Sequence, residues 1–218
     1  MKVVPKLTPE QAKLERDLFR EFEDLLIEKG FVFLSIPSAL PMEVMQAQFR
    51  DTFMPDTMKA EEGLFLSGSA EQGILHYFKD QEVAAPSRYY AFNQCWRLED
   101  SYEGFLRCKE FRKLEQFSFV EPENWEEEFD FLIDNAMTFL LQKGLTARVV
   151  DCTNEYGYHI AKKDIEVLTK QYGWIETHSC TYFGDGQTSR LNIGGGMHTI
   201  SNTGLASPRI LIPFLERT

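Results

Sequence analysis

Cysteine is scarce in this chain. Its 218 residues hold four, Cys95, Cys108, Cys152 and Cys180, none in CxxC or CxxH spacing. That excludes a small disulfide-stapled fold and disfavours a closed zinc site, so reduced thiols in a cytoplasmic protein are expected. Long apolar runs are missing too: nothing reaches the roughly 18 residues of a membrane-spanning helix, and the opening MKVVPKLTPEQ has no apolar signal core. A soluble protein with no membrane partner is expected. Linkers, repeats and low-complexity segments are absent, since Pro, Gly and Ser are scattered, so the expectation is one compact unit over residues 1–218. Positive charge is in deficit, with 23 Lys and Arg against 34 Asp and Glu and a net charge of -11. Such a surface repels a phosphate backbone and leaves room only for a local basic site.

What is present is a 43% hydrophobic chain long enough for one sizeable core. Thr8-Pro9-Glu10-Gln11 combines an N-cap, a proline at the first helical position and a capping-box glutamine. It leads into Leu14, Leu18, Phe19, Phe22, Leu25 and Leu26 at helical spacing, and Gly30 supplies the stop. FVFLSI (31–36) reads as a buried strand that Pro37 ends, whereas residues 41–64 are Met-rich and carry no clear pattern. PSRYYAFNQCWRLE (86–99) and GFLRCKEFRKLEQFSFV (104–120) read as two strands of a long hairpin, turning at Asp100–Gly104. Residues 121–144 open with proline and acidic residues, keep Trp125, Phe129, Leu132, Ile133, Ala136, Met137 and Leu140 on one face, and end at Gly144: an amphipathic helix. TARVVD, the segment through Asp164–Val167, WIETHSCTYF and RLNI resemble strands, and SPRILIPFLERT has helical spacing broken by Pro213. This order predicts an α+β fold, an antiparallel sheet with helices on one side.

The hairpin raises the functional question. Alternation puts Arg107, Lys109, Phe111, Lys113 and Glu115 on one face of its second strand. A cation, an aromatic plane and a carboxylate at four-residue steps could meet a phosphate, a base and an amine. Taken alone, the same charges fit a solvated face with cross-strand pairs better.

The order of the blocks along the chain reverses that preference. Arg97-Leu98-Glu99, Gly104-Phe105-Leu106-Arg107, Phe111 and Lys113-Leu114-Glu115-Gln116-Phe117 resemble motif 2 of class II aminoacyl-tRNA synthetases, in the form found in seryl-tRNA synthetases. The helix from residue 8 and the strand into Pro37 resemble motif 1 (about 8–40), and motif 2 spans about 88–120. Ser69-Ala70-Glu71 resembles the Thr-x-Glu loop, Asp164-Ile165-Glu166 a DIE segment, and Glu176-Thr177-His178-Ser179 the strand of ATP and magnesium ligands. Asp185, Gln187 and Arg190 fit the pattern that follows. His198 to Arg209, continuing to about 217, resembles motif 3 with its single arginine.

The resemblance implies activation of an amino acid by attack of its carboxylate on the α-phosphate of ATP. Arg97 would contact that phosphate and the carboxylate; Glu99 would accept from the adenine amino group; Phe111 would stack on the base, with Arg209 on its other face or at the γ-phosphate. Arg107 would hold the phosphate tail, and the backbone at Cys108 would meet the adenine. Glu176 and Ser179 would bind magnesium beside Thr177, hard oxygen donors suiting that ion. Ser69 and Glu71 would meet the ammonium, while Glu115, Ser201 and Thr203 would meet a small polar side chain. A buried carboxylate opposite a hydroxyl rejects analogues that leave it unpaired, which favours serine, with glycine or alanine behind it. Motif 1 implies a homodimer.

The sequence also departs from the pattern. The long coiled-coil arm with which seryl enzymes grip tRNA has no counterpart, the motif 2 turn is short, and Ser69 and Ser201 replace a threonine and an asparagine. The zinc-dependent branch carries cysteines at those two positions, so zinc is disfavoured here. The expectation is therefore a stand-alone adenylate-forming ligase that passes its aminoacyl group to a carrier protein or a small molecule, with tRNA unlikely as acceptor without a helper subunit. A minimal seryl-tRNA synthetase and a catalytically inactive ligand-binding or regulatory protein are the alternatives.

Overall fold

The computed structural model describes residues 6–47, 57–152 and 159–217. In chain order the elements are α1 (Pro9–Glu28), β1 (Val32–Leu34), β2 (Ala39–Pro41), α2 (Met42–Ala47), β3 (Met58–Glu61), β4 (Leu64–Leu66), α3 (Ala70–Phe78), β5 (Ser87–Trp96), β6 (Glu110–Val120), α4 (Trp125–Gln142), β7 (Ala147–Asp151), β8 (Ala161–Thr169), β9 (Gly173–Gly184), α5 (Gly186–Arg190), β10 (His198–Ser207) and α6 (Ile212–Leu215). Seven strands form one sheet in the order β1-β5-β6-β10-β9-β8-β7, and β2-β4-β3 form a small second sheet. All pairings in the large sheet are antiparallel except β1 with β5. The α+β class is as expected.

The capping box of α1 is formed: Gln11 N donates to Thr8 Oγ1 at 3.3 Å, and Thr8 N donates to Gln11 Oε1 at 2.9 Å. Leu18, Phe22 and Leu26 of α1 and Phe129, Leu132, Ala136 and Leu140 of α4 pack on one face of the sheet against Leu114, Cys180, Ile200 and Leu205. Two buried amides pin α4 there, because the Leu132 carbonyl accepts from Gln116 at 3.3 Å and from Asn202 at 2.7 Å. The pairing of β10 with β6 skips Gly204, forming a bulge. A Cβ at Gly204 would stand 2.6 Å from both Leu114 Cδ2 and Phe22 Cε1, so only glycine lets α1 approach this closely.

Helices do not lie on one side only, as the sequence led us to expect. A second apolar cluster, with Leu40, Met45, Ile74 and Leu75, covers the opposite face over β5 and β6 through Ala91, Phe117 and Phe119. Among the described residues this face is covered at one end only, and the uncovered part carries the site.

Local departures have local causes. FVFLSI gives only the three-residue edge strand β1, with Val32 55% and Phe33 51% exposed, since among the described residues it pairs with β5 alone. Residues 104–109 do not continue β6. Gly104 adopts a positive φ of 48°, Glu103 N donates to Arg107 O, and Cys108 Sγ reaches Gly104 O, folding the segment on itself. RLNI is the end of α5 and a turn in which Asn192 has φ 51° and bonds Asp80. In the last segment, a 3₁₀ turn (Arg209–Leu211) leads into α6, whose first turn holds Pro213, where a missing N–H costs nothing. Helix α3 and β10, the strand between β6 and β9 near the middle of the sheet, are not expected from residue patterning. Among the described residues no helix is long and apolar enough to cross a membrane.

Candidate active site

Strand alternation sorts β6 cleanly. Arg112, Leu114, Gln116 and Ser118 turn toward the helices, and Phe111, Lys113 and Glu115 line a cavity of about 280 Å³ on the open face. Strand β10 adds Ser201 and Thr203 to the wall, and β9 adds Thr177, Ser179, Thr181 and Phe183. Glu176 would point away by alternation. The pairing of β9 with β8 shifts there, from Glu166↔Glu176 to Ile165↔His178, and this bulge turns Glu176 and Thr177 to the same cavity. His178 stays on the buried side, 1% exposed, where burial lowers its pKa to about 4 and keeps the ring neutral.

At one end of the cavity the cations are braced. Arg97 Nε donates to the Gly68 carbonyl at 3.0 Å, and its guanidinium carbon lies 5.2 Å from the centre of the Phe111 ring. Among the described residues its two terminal nitrogens have no hydrogen-bond partner, leaving a fork suited to a carboxylate or phosphate. Arg209 Nε donates to Leu106 O at 2.9 Å and Nη1 to Glu176 O at 3.1 Å, tying the 104–109 segment to β9. Burial lowers the Arg209 pKa, with Glu176 opposing. Arg107 Nη1 holds Glu99 at 2.9 Å. Cys108 is a thiol here, since burial pushes it up to about 11 against the pull of Arg209.

At the other end the groups are acidic and hydroxylic. Glu115, 1% exposed, accepts from Ser201 Oγ at 2.7 Å and from Ser69 Oγ at 3.2 Å, and Lys113 Nζ is 2.7 Å from it. Ser69 caps α3 and Glu71 lies in its first turn, so these two occupy a helix start rather than the expected loop. Burial, and next the charge of Glu115, push the Glu71 carboxyl up to about 7, while Lys113, Gln187 and Ser201 oppose the shift.

Every residue given a role at the site from the sequence thus lines this one cavity, whereas Asp164, Glu166, Asp185, Gln187 and Arg190 of the other matching blocks are not part of its wall. The sequence reading gave no role to Lys113, Lys162, Thr181, Phe183 or Phe105, which share the wall. Lys113 was within reach, being two residues from both Phe111 and Glu115 on one strand face. Lys162 stands 3.3 Å from Asp164; burial pulls its pKa down, and Asp164 and Glu176 more than offset this.

Among the described residues no three His, Cys, Asp or Glu side chains gather to hold a metal. Glu176 and Ser179 nevertheless fit magnesium, which takes one or two protein oxygens and draws the rest from phosphate and water.

The chain is similar to known proteins over most of its length. Residues 52–211 match the tRNA synthetase class II core domain (G, H, P, S and T). Serine–tRNA ligase of Caldicellulosiruptor bescii is 32% identical over 94% of this chain and 54% of its own length. That of Deinococcus radiodurans is 31% identical over 96% of this chain and 55% of its own. The crystal structure of seryl-tRNA synthetase from Pyrococcus horikoshii complexed with ATP superposes with a TM-score of 0.89 at 27% identity, covering 97% of this chain and 52% of that one. The chain spans about half the length of these relatives.

Proposed function

This chain belongs to the tRNA synthetase class II core domain family (G, H, P, S and T), and we propose that it activates serine with ATP. The observation that carries the proposal is the single cavity in which the braced Arg97 faces the buried carboxylates Glu71 and Glu115. A small amino acid has matching parts: a carboxylate for Arg97, an ammonium for Glu71 and a hydroxyl for Glu115 with Ser69 and Ser201. One serine carboxylate oxygen bonds to the α-phosphorus of ATP, the bond from that phosphorus to the β-bridging oxygen breaks, and pyrophosphate leaves with the electron pair. No side chain needs to become a nucleophile; positioning and charge neutralisation suffice. Phe111 offers a plane to the adenine and Glu99 an acceptor to its amino group, while Arg107 and Arg209 take the phosphates. Magnesium, held by Glu176 and Ser179, supplies charge neutralisation on the phosphates when bound.

For the second step, the relatives favour tRNA as acceptor over a carrier protein or small molecule. The connection between β5 and β6 also runs over residues 97–109, longer than the turn expected at Asp100–Gly104, which weakens the argument against tRNA. We place the activity in the cytoplasm, in keeping with four cysteines that form no disulfide. A two-fold dimer would cover the exposed Ile27, Val32 and Phe33 beside β1, and light scattering at twice the chain mass would establish it.

The deciding experiment is ATP–pyrophosphate exchange with each of the twenty amino acids and magnesium. Serine should stimulate most, with glycine and alanine far behind. If none stimulates exchange while ATP still binds, the protein is a binding module instead. Charging of tRNA against charging of a carrier-protein thiol then separates the acceptors.

A further inference from the structure

Gln187 belongs to the short helix α5 and not to the cavity wall, yet it is 1% exposed and touches the acid that would receive the substrate's ammonium. Its Nε2 donates to Glu71 Oε1 at 2.5 Å. Its other end is fixed as well, since Thr199 Oγ1, on a fully buried residue of β10, donates to Gln187 Oε1 at 2.6 Å. A primary amide can turn either end to a neighbour, but only its N–H end is attractive to a carboxylate. With the carbonyl end taken by the Thr199 hydroxyl, the N–H end is committed to Glu71.

The groups facing Glu71 explain why this matters. From β6 come Glu115, which repels its negative charge, and Lys113, which is itself bound to Glu115. From β10 comes the Ser201 hydroxyl, which donates to Glu115 at 2.7 Å and also favours the ionised form of Glu71. Burial and Glu115 both favour the protonated form of Glu71, and Lys113 and Ser201 divide their support between Glu71 and Glu115, whereas the Gln187 N–H, fixed from behind by Thr199, is committed to Glu71 and supports its ionised form. A carboxylate that keeps its proton cannot accept from an ammonium at full strength.

We propose that Gln187 is a positioning residue: held by Thr199, it keeps the Glu71 carboxylate oriented and available as the acceptor for the substrate's ammonium. The proposal rests on the reading of Glu71 as the ammonium-binding acid. It makes amino-acid affinity depend on a residue that touches no substrate atom.

Two variants test it, Gln187→Leu and the milder Thr199→Val, which removes one hydroxyl and keeps the shape. Serine-dependent exchange is measured from pH 6.5 to 9. The serine KM at pH 7 should rise by roughly tenfold or more in Gln187→Leu and less in Thr199→Val, with the ATP KM little changed. In both variants the pH at which serine binding improves should move upward. An equal loss at every pH, or an unmoved serine KM in a folded variant, overturns the proposal. The Glu71 carboxyl is also titrated directly by 13C NMR of glutamate-labelled protein, with Glu71→Gln as the assignment control. That titration needs no turnover, so it decides the role of Gln187 even if wild type activates no amino acid and the reading of the site fails. An unchanged Glu71 titration in Thr199→Val sinks the proposal if Gln187→Leu does not fold.

Discussion

Strands β6, β9 and β10 have two faces that obey opposite rules. Toward α1 and α4 they bury Leu114, Cys180, Ile200 and Leu205, and the polar groups there, Gln116, Ser118 and Asn202, each donate into α4. Toward the cavity the same strands carry Lys113, Glu115, Glu176, Thr177, Ser179, Ser201 and Thr203. The helix face is closed, and its amides and hydroxyl donate to groups of α4. The cavity face is incomplete: Arg97 has terminal nitrogens with no partner among the described residues, and Glu71 is pushed to about 7 by burial. Packed and paired groups fill the face under α1 and α4, whereas on the other face the second apolar cluster covers β5 and β6 and the cavity beside it holds groups poised for ligands.

Breaking each face should therefore give different losses. The largest effect belongs to Arg97→Ala. It should lower serine-dependent exchange by about a thousandfold or more while leaving the circular dichroism spectrum and melting temperature near wild type, because the lost guanidinium stabilises charge that develops only in the reaction. Retention of full activity would remove Arg97 from the site. On the helix face, Phe22→Ala should do the converse and cost about 3–5 kcal/mol in denaturant unfolding, since Phe22 is fully buried against Phe139 and Gly204. The serine and ATP KM values of whatever fraction stays folded should be unchanged.

Glu71→Gln should couple the two faces through pH. The folded-state pKa of Glu71 lies above its ordinary 4.5, so wild type binds that proton more tightly when folded and loses stability as pH rises from about 4.5 to about 7. Removing the charge should make the variant more stable than wild type by on the order of 2–3 kcal/mol at pH 8, a gap that closes below about pH 5. The same variant should lose serine activation. Equal stabilities at pH 8 would show that Glu71 is not strained by burial.

The two faces were also unequally legible in the sequence. Helices α1 and α4 could be read because burial of one stripe writes a 3.6-residue period, and caps mark the ends. Strands β5 and β6 could be read from aromatic and β-branched density. HTISNTGLAS could not: its cavity side must be hydroxylic, its helix side includes Asn202, and Gly204 breaks the alternation, so the pattern of a half-buried strand is erased by the site it serves. Helix α3 escaped although Ser69 and Gln72 offer a capping box, because its nine residues include Gly73 and are buried nearly all round, so no apolar stripe stands out. The cavity residues were found by the order of short blocks and not by periodicity. That route finds groups bearing the chemistry but gave no role to Gln187, whose partners Glu71 and Thr199 are distant in sequence.

The smallest effect expected is the most discriminating between the faces, because it compares two ion pairs of similar length. Arg107 reaches Glu99 at 2.9 Å on the cavity side, with the arginine side chain 50% exposed. Arg88 reaches Glu128 at 2.6 Å on the helix side, where the carboxylate is 6% exposed, accepts a second bond from the arginine and takes the Ser118 hydroxyl. An exposed pair adds little because water replaces it, so Arg107→Ala should change unfolding free energy by less than about 0.5 kcal/mol. Its cost should surface only with ligand present, as a smaller rise in melting temperature on adding ATP, since Arg107 would then have a phosphate to hold. A loss of 2 kcal/mol or more without ATP would mean that the Arg107–Glu99 pair braces the 97–109 connection as Arg88 braces α4, and the division between a stabilising face and a poised one would no longer hold.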